Sequence, residues 1–290
     1  MTTFDIVPRG AFSLRESVEF GFGQRHSTVL DGTMRLAFCV DHHTEQVGAV
    51  LTQDASGVHG ELVGDAPVDA VRAQVARMLS LDVDARAYEE VGARDPVVAR
   101  ALAAAPGLRP PLFHSPYEAA AWCVLSLRWS ARQAAAVRER FATAHGRVFD
   151  VAGERMAAFP TPAQLLTVAE FPGIPPVKIE RLHAVARAAQ AGALDAEKLR
   201  AAEPDAATAG LRQIPGIGPF SASLIVLRAS GVCDVPIDQE PRLAELVGQL
   251  YGLPAVATPA DMLRIGEAWR PFRTWVGVLL RAAGARIAVS

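Results

Sequence analysis

Cysteine is scarce: Cys39, Cys123 and Cys233 are the only three in 290 residues. They are far apart and form no CxxC pair and no four-cysteine cluster, which argues against structural zinc and against an iron–sulfur cluster. They read instead as small buried apolar side chains. Long apolar runs are missing as well. The longest, such as Ala119 to Leu127, is too short to span a membrane. No charged-then-apolar leader opens the chain, because Met1 to Ser13 alternates and contains Asp5, Pro8 and Arg9. A cytoplasmic protein with no membrane partner is expected. The seven histidines, His42, His43 and His114 among them, show no HExxH spacing and read as structural or surface residues.

A strong excess of charge is also lacking. The net charge is −2, which argues mildly against a large non-specific nucleic-acid surface. It does not exclude recognition through backbone amides, which formal charge does not count. Arg128, Arg132, Arg138 and Arg140 lie on or beside one predicted helix, as a basic patch or as a solvated helix face.

What is present is a large apolar fraction, 50% of residues, with aromatics at only 7%. Alanine is abundant, and together these features suit a mostly helical protein with a substantial core. Phe4 to Val7, Thr33 to Val40, Gly48 to Gln53 and His59 to Val63 are short apolar or alternating runs divided by Gly, Asp and Ser, and predict strands. Pro67 to Leu79 predicts an amphipathic helix with Val71, Val75, Met78 and Leu79 on one face. Tyr88 to Ala103 predicts helix broken at Asp95-Pro96. Gly107 to Pro111 has the composition of a stiff linker.

Beyond it the chain reads as a succession of helices. They start at Ser115-Pro116, Ser130, Thr161-Pro162, Pro175, Leu194 and Ala206, and end with Pro241 to Leu250 and Pro259 to Leu280. The expected organisation is mostly α with an α+β N-terminal domain over 1–107, then a helical region over 108–290. Phe171-Pro172-Gly173-Ile174-Pro175 is taken as an ordinary turn.

The densest signal lies in Leu211 to Glu240, LRQIPGIGPFSASLIVLRASGVCDVPIDQE. A helix end turns sharply at Pro215-Gly216-Ile217-Gly218 and enters a second helix from about Phe220 to Ala229. Glycines there let the backbone approach a partner closely. The first amides of the second helix have no partner inside it and carry the positive end of the helix dipole, which favours an anion such as a phosphate. Two carboxylates, Asp238 and Glu240, follow about 20 residues on.

This combination resembles the helix-hairpin-helix (HhH-GPD) DNA glycosylase superfamily, with the hairpin over 211–229. The whole layout looks like bacterial 3-methyladenine DNA glycosylase II. The supporting pieces are the N-terminal strands, Arg109-Pro110, Phe159 to Pro162, Pro176-Val177-Lys178, the hairpin and Trp269 to Arg273. The resemblance implies a small antiparallel sheet domain followed by a two-subdomain helical core. It implies a partner, double-stranded DNA containing damaged bases, bound by a nucleoid-associated monomer. It also implies a reaction: a base is flipped out and its bond to the sugar is hydrolysed, with a carboxylate stabilising the positive charge that builds on the sugar.

Carried onto this chain, the carboxylate is Glu240 by spacing and Asp238 by residue type, and both stay open. With Glu240, Pro241 is the first helical residue and Leu243, Leu246 and Val247 supply the apolar face. Phe220 stands where strand-cutting relatives hold a Schiff-base lysine. It has no amine, so a monofunctional reaction without lyase activity is implied. Phe220 also reads as a base-pocket residue whose aromatic face suits a cationic alkylated purine. Leu127, Leu224 and Arg281 fall where the family has glutamine, tyrosine and tryptophan, and Trp129 is a further candidate pocket wall. Arg128 is at the position that fills the gap left by a flipped base. The backbone of Gly216, Ile217, Gly218, Ser221 and Ala222 is assigned to DNA phosphate. The carbonyls of Arg212, Ile214 and Ile217 are assigned to a structural sodium or potassium ion, with no other cofactor. Two further readings remain: a catalytically weak lesion- or structure-specific DNA-binding protein, and a glycosylase for another damaged base.

Overall fold

The computed structural model describes residues 2–20, 31–238 and 240–287. The outer limits of the two expected domains, residues 1 and 290, lie outside them.

Strands β1 (Thr2–Ile6), β2 (Met34–Cys39), β3 (Gln46–Asp54) and β4 (Gly57–Val63) form an antiparallel sheet in the order β1-β4-β3-β2. All four lie where the alternating runs predicted them. Alternation decides which side chains meet the core: Leu36 and Phe38 of β2 point one way and Ala37 the other. Helix α1 (Leu14–Phe20) has no strong signal in the sequence, and the side-chain oxygen of Gln53 accepts its first amide at 2.6 Å. Helix α2 (Val68–Met78) covers the sheet, burying Val71, Val75 and Met78 against Phe4, Phe38, Val47 and Leu51.

Helices α3 (Glu90–Arg94) and α4 (Pro96–Ala104) divide at Asp95, as the Asp95-Pro96 pair predicts. The Asp95 carboxylate caps α4 by accepting from the amides of Val97 and Val98.

Then come α5 (Pro116–Ser126) and α6 (Ala131–His145), capped by Ser115 and Ser130. The expected run of helices is interrupted here. Strands β5 (Val148–Val151) and β6 (Glu154–Ala157) form a hairpin whose Phe149, Val151 and Met156 pack on the second face of the sheet against Ala37, Val50 and Val63. Four-residue strands are too short for alternation to stand out in the sequence.

Helices α7 (Pro162–Leu166), α8 (Pro176–Gln190), α9 (Ala196–Ala201), α10 (Pro204–Leu211) and α11 (Pro219–Ala229) enclose one core with α5, centred on Tyr117, Leu125, Leu182, Leu211 and Ile225. Helices α12 (Pro241–Leu250), α13 (Pro259–Gly266) and α14 (Arg273–Ile287) form another. The single helix expected over Pro259 to Leu280 is thus two, parted by a 3₁₀ turn and Pro271. Proline cannot continue the helix because it lacks an amide and clashes with the preceding turn.

The boundary expected after residue 107 does not separate cores. Val98, Ala101 and Leu108 bury against Leu243, Trp275, Leu279 and Ala283. The apolar face of α4 finds its partner in α14, far along the chain, and no local composition signal marks such a pairing. Among the described residues, no helix is long and apolar enough to cross a membrane.

Candidate nucleic-acid interface and active site

The hairpin is anchored from below. Leu211, Ile214, Ile217 and Ala222 are buried in the core shared with α5 and α8. Its outer side is open, with Arg212, Gln213, Pro215, Gly218, Pro219 and Phe220 exposed. Gly216 adopts φ +94°, a region that costs other residues about 1–2 kcal/mol. A Cβ there would also lie 2.7 Å from Cδ of Arg181, whose stem covers the glycine. Gly218 differs. Its φ is −88° and nothing lies within 4 Å of where its Cβ would be. Among the described residues no contact requires glycine at 218, and the residue is exposed.

Gly218 is the N-cap of α11 and Pro219 its first residue, one position earlier than predicted. Proline contributes no amide, so the first amides in the helix belong to Phe220 and Ser221. Two of the expected phosphate contacts are already engaged internally: the Ala222 amide donates to the Gly218 carbonyl at 2.9 Å, and the Ile217 amide donates to the Ile214 carbonyl at 3.0 Å. Among the described residues, the amides of Gly216, Gly218 and Ser221, the rest of the expected set, have no hydrogen-bond acceptor. Gly216→Ala is expected to lower stability by about 1–3 kcal/mol, from its left-handed backbone and the displaced Arg181. Urea unfolding compared with the harmless Gly218→Ala checks this.

Phe220 is 68% exposed, a large apolar area to leave in water. The next residue, Ser221, brings its hydroxyl to the Cys123 thiol on α5. One turn beyond Cys123, Leu127 ends α5 and is also exposed, at 43%. Arg128 follows with φ +61°, the left-handed region, and is exposed. Leu224 is partly buried against the core and Trp129 likewise. One face of the Trp129 indole is taken, since the Lys178 ammonium sits 3.2 Å from the ring centroid. Of the predicted basic cluster, Arg128, Arg132 and Arg140 are exposed. Arg138 is buried against Glu118 at 2.7 Å and does not belong to that surface.

The carboxylates lie on the other core. Glu240 is the N-cap of α12, and its Oε2 accepts from the Leu243 amide at 2.7 Å. The same oxygen faces Nε of Arg281 on α14 at 3.4 Å. Thus two residues selected from sequence, 41 positions apart, meet directly. Asp238 is half-buried and, among the described residues, has no hydrogen-bond or ion-pair partner. Sequence reasoning gave no role at this candidate site to two residues, Lys178, quoted only within Pro176-Val177-Lys178, and Arg181. They are three apart on α8, with Lys178 under the turn after α5 and Arg181 over the hairpin glycine. The i, i+3 spacing puts both on one face, but no signal in the sequence tells that face from any other.

No family model matches the chain. A curated relative from Mycobacterium tuberculosis, described as a probable bifunctional transcriptional activator/DNA repair enzyme AlkA, is 30% identical over 210 residues. The match takes in 70% of this chain but 40% of that protein, so the chain spans less than half the length of the relative it matches. A 3-methyladenine DNA-glycosylase structure from Archaeoglobus fulgidus superposes with a TM-score of 0.76 at 18% identity, covering 97% of this chain and 98% of the other. A structure of MBOgg1 in complex with a low-affinity DNA ligand superposes with a TM-score of 0.75 at 19% identity, covering 99% of each. The small antiparallel sheet followed by helices is therefore a known architecture over essentially the full length.

Proposed function

From the premise that this chain has the helix-hairpin-helix (HhH-GPD) glycosylase fold and resembles 3-methyladenine DNA glycosylase, we propose that it is a monofunctional DNA glycosylase of base excision repair. Its substrates are alkylated purines in duplex DNA, and its product is an abasic site. The observation that carries this reading is the hairpin. A rigidly anchored turn presents bare glycine backbone and helix-start amides outward, with an exposed Phe220 beside them and a carboxylate-bearing helix start following.

In this reading the amides of Gly216, Gly218 and Ser221 hold a phosphate, and Leu127 and Arg128 enter the duplex. Phe220 meets the flipped base with its ring face, which attracts a cationic purine. Glu240 or Asp238 faces the sugar, stabilises its developing positive charge and orients water. With phenylalanine at 220 no amine is available there to trap the sugar, so the strand stays intact. The Arg212, Ile214 and Ile217 carbonyls would hold sodium or potassium. Backbone oxygens suit a hard cation, and the Ile214 carbonyl keeps a lone pair after accepting from Ile217.

A specific observation favours the catalytically weak DNA-binding alternative. The Glu240 oxygen nearest Arg281 also caps α12, and a carboxylate so engaged is less free to face a sugar. The other alternative, a glycosylase for a different damaged base, draws support from Arg281, whose guanidinium can donate to carbonyl-bearing bases.

The test is base release from a duplex carrying one N3-methyladenine or hypoxanthine, by wild type, Glu240→Gln and Asp238→Asn. Release by wild type that falls about a hundredfold or more in one variant identifies the carboxylate. Binding of the duplex without release from either lesion moves the assignment to the binding protein.

A further inference from the structure

Lys178 is one of two lysines in a chain whose other basic residues are arginines. It lies in the first turn of α8, is 6% exposed and, among the described residues, has no carboxylate partner. A buried ammonium without an acid is costly unless its protons are used. Here they are. Nζ donates to the carbonyl of Leu125, in the last turn of α5, where a carbonyl has no partner within the helix. The ammonium also lies over the face of Trp129. Burial, and then the nearby Arg181, push its pKa down to about 8, so it remains mostly charged at neutral pH.

Leu125 and Trp129 flank the exposed turn at Leu127 and Arg128. The turn is closed by the Trp129 amide donating to the Ser126 carbonyl at 3.0 Å. It then runs into the capping box of Ser130 and Gln133 that starts α6. Arg128 is held at φ +61° within it. An unfavourable backbone at an exposed non-glycine residue persists only where its surroundings impose it. Lys178 grips both sides of that turn from a different helix.

We propose that Lys178 is a positioning residue that holds the Leu127–Arg128 turn in the shape needed to enter the duplex and displace a base. The inference rests on the DNA-processing reading above and adds to it. It assigns the preorganisation of the turn to one buried side chain that touches neither DNA nor sugar. If the grip is lost, Leu127 and Arg128 sample other conformations. Displacement from a stacked duplex suffers, whereas an unstacked base needs no wedge.

The experiment uses the full chain with Lys178→Met and with Lys178→Gln, which keeps a donor but not the charge. The probe is 2-aminopurine placed beside a hypoxanthine, in a duplex and in the matching single strand, at saturating protein. Wild type is expected to raise the fluorescence of the duplex. Lys178→Met should lower the rate of that rise about tenfold and leave the single-strand signal unchanged, with Lys178→Gln between the two. Lys178→Met in a Leu127→Ala background should add little, because both changes act through one turn. Equal losses on duplex and single strand would make Lys178 a general stability residue and overturn the proposal. So would additive effects with Leu127→Ala, or no fluorescence rise by wild type on a bound duplex. Fluorescence is read without base release. A wild type that displaces the base but releases none would sink the glycosylase reading and leave this one standing.

Discussion

Replacing Arg109 with methionine is expected to remove about 5 kcal/mol or more of stability, enough to unfold many domains of ordinary stability. Arg109 is fully buried and uses all its donor nitrogens on backbone oxygens. Nε donates to the Ala11 carbonyl at 3.0 Å. One terminal nitrogen donates to Ser80 at 3.0 Å and Val83 at 3.2 Å, the other to Arg9 at 2.6 Å and Gly10 at 3.0 Å. The guanidinium also lies 5.9 Å from the ring centroids of both Phe12 and Trp275. One side chain thus ties the segment after β1, the segment after α2 and helix α14 together.

Burial lowers its pKa to about 10, with Asp84 and Asp82 opposing, so it stays charged at neutral pH. Methionine fills similar volume but leaves up to five carbonyls short of a partner, at about 1–3 kcal/mol for each left buried and unsatisfied. Some relief is available: the Arg9 carbonyl still accepts from the Ala85 amide at 2.9 Å. Lysine keeps the charge but offers three donors in a tetrahedral arrangement, which cannot match a planar fork, so an intermediate loss is expected. Urea unfolding measures both. A loss below about 1 kcal/mol in Arg109→Met would mean that water or local rearrangement replaces the whole set.

In the sequence Arg109 reads as part of a stiff linker, which shows where legibility ends. Elements whose signals are local were readable: the four strands by alternation, α5 and α12 by a proline at the first helical position, and the division of α3 from α4 by Asp95-Pro96. The turn at Gly216 was readable because its left-handed backbone leaves a glycine in the chain. Glu240 was placed before a helix by Pro241 at the first helical position and by the spacing the resemblance implies, and it is the cap. The contributions of Arg109, Lys178 and Arg181 come from tertiary neighbours 50 or more residues away in most cases, and no local pattern announces them. The same limit hid the β5–β6 hairpin, the α4–α14 pairing and the ion pair between Glu240 and Arg281. Arg138 misled for the converse reason, since its spacing fits an exposed basic face while its carboxylate partner comes from another helix.

That partner is the subject of the second large effect. Glu118→Gln is expected to cost about 3–5 kcal/mol at neutral pH, the usual consequence of stripping one member from a buried charged pair. Glu118 is 1% exposed. Its Oε2 accepts from Arg138 at 2.7 Å and faces Nδ1 of His114 at 3.2 Å, and its Oε1 accepts from the Cys39 amide at 3.0 Å. The carboxylate therefore joins α5 to α6 and to the edge strand β2. Glutamine keeps the shape but removes the negative charge that Arg138, buried above Phe159, meets at 2.7 Å.

Burial alone would raise the Glu118 pKa. The charge and hydrogen bond of His114, the charge of Arg138 and the Cys39 amide overcome that and bring it to about 2. A folded value below the unfolded one means that the unfolded chain binds the proton first as pH falls. The stabilisation is therefore complete above about 4.5, the ordinary glutamate value, and is lost between there and about 2. Asp31, Asp54 and Asp84 are also held low by neighbouring side chains, so wild-type acid sensitivity by itself does not isolate Glu118. The difference between wild type and Glu118→Gln does, because the aspartates are common to both. That gap should close steadily as pH falls from about 4.5 towards 2. A gap that stayed constant to pH 3 would mean that Glu118 titrates alike in the folded and unfolded chain, so that His114, Arg138 and the Cys39 amide do not hold its carboxylate low.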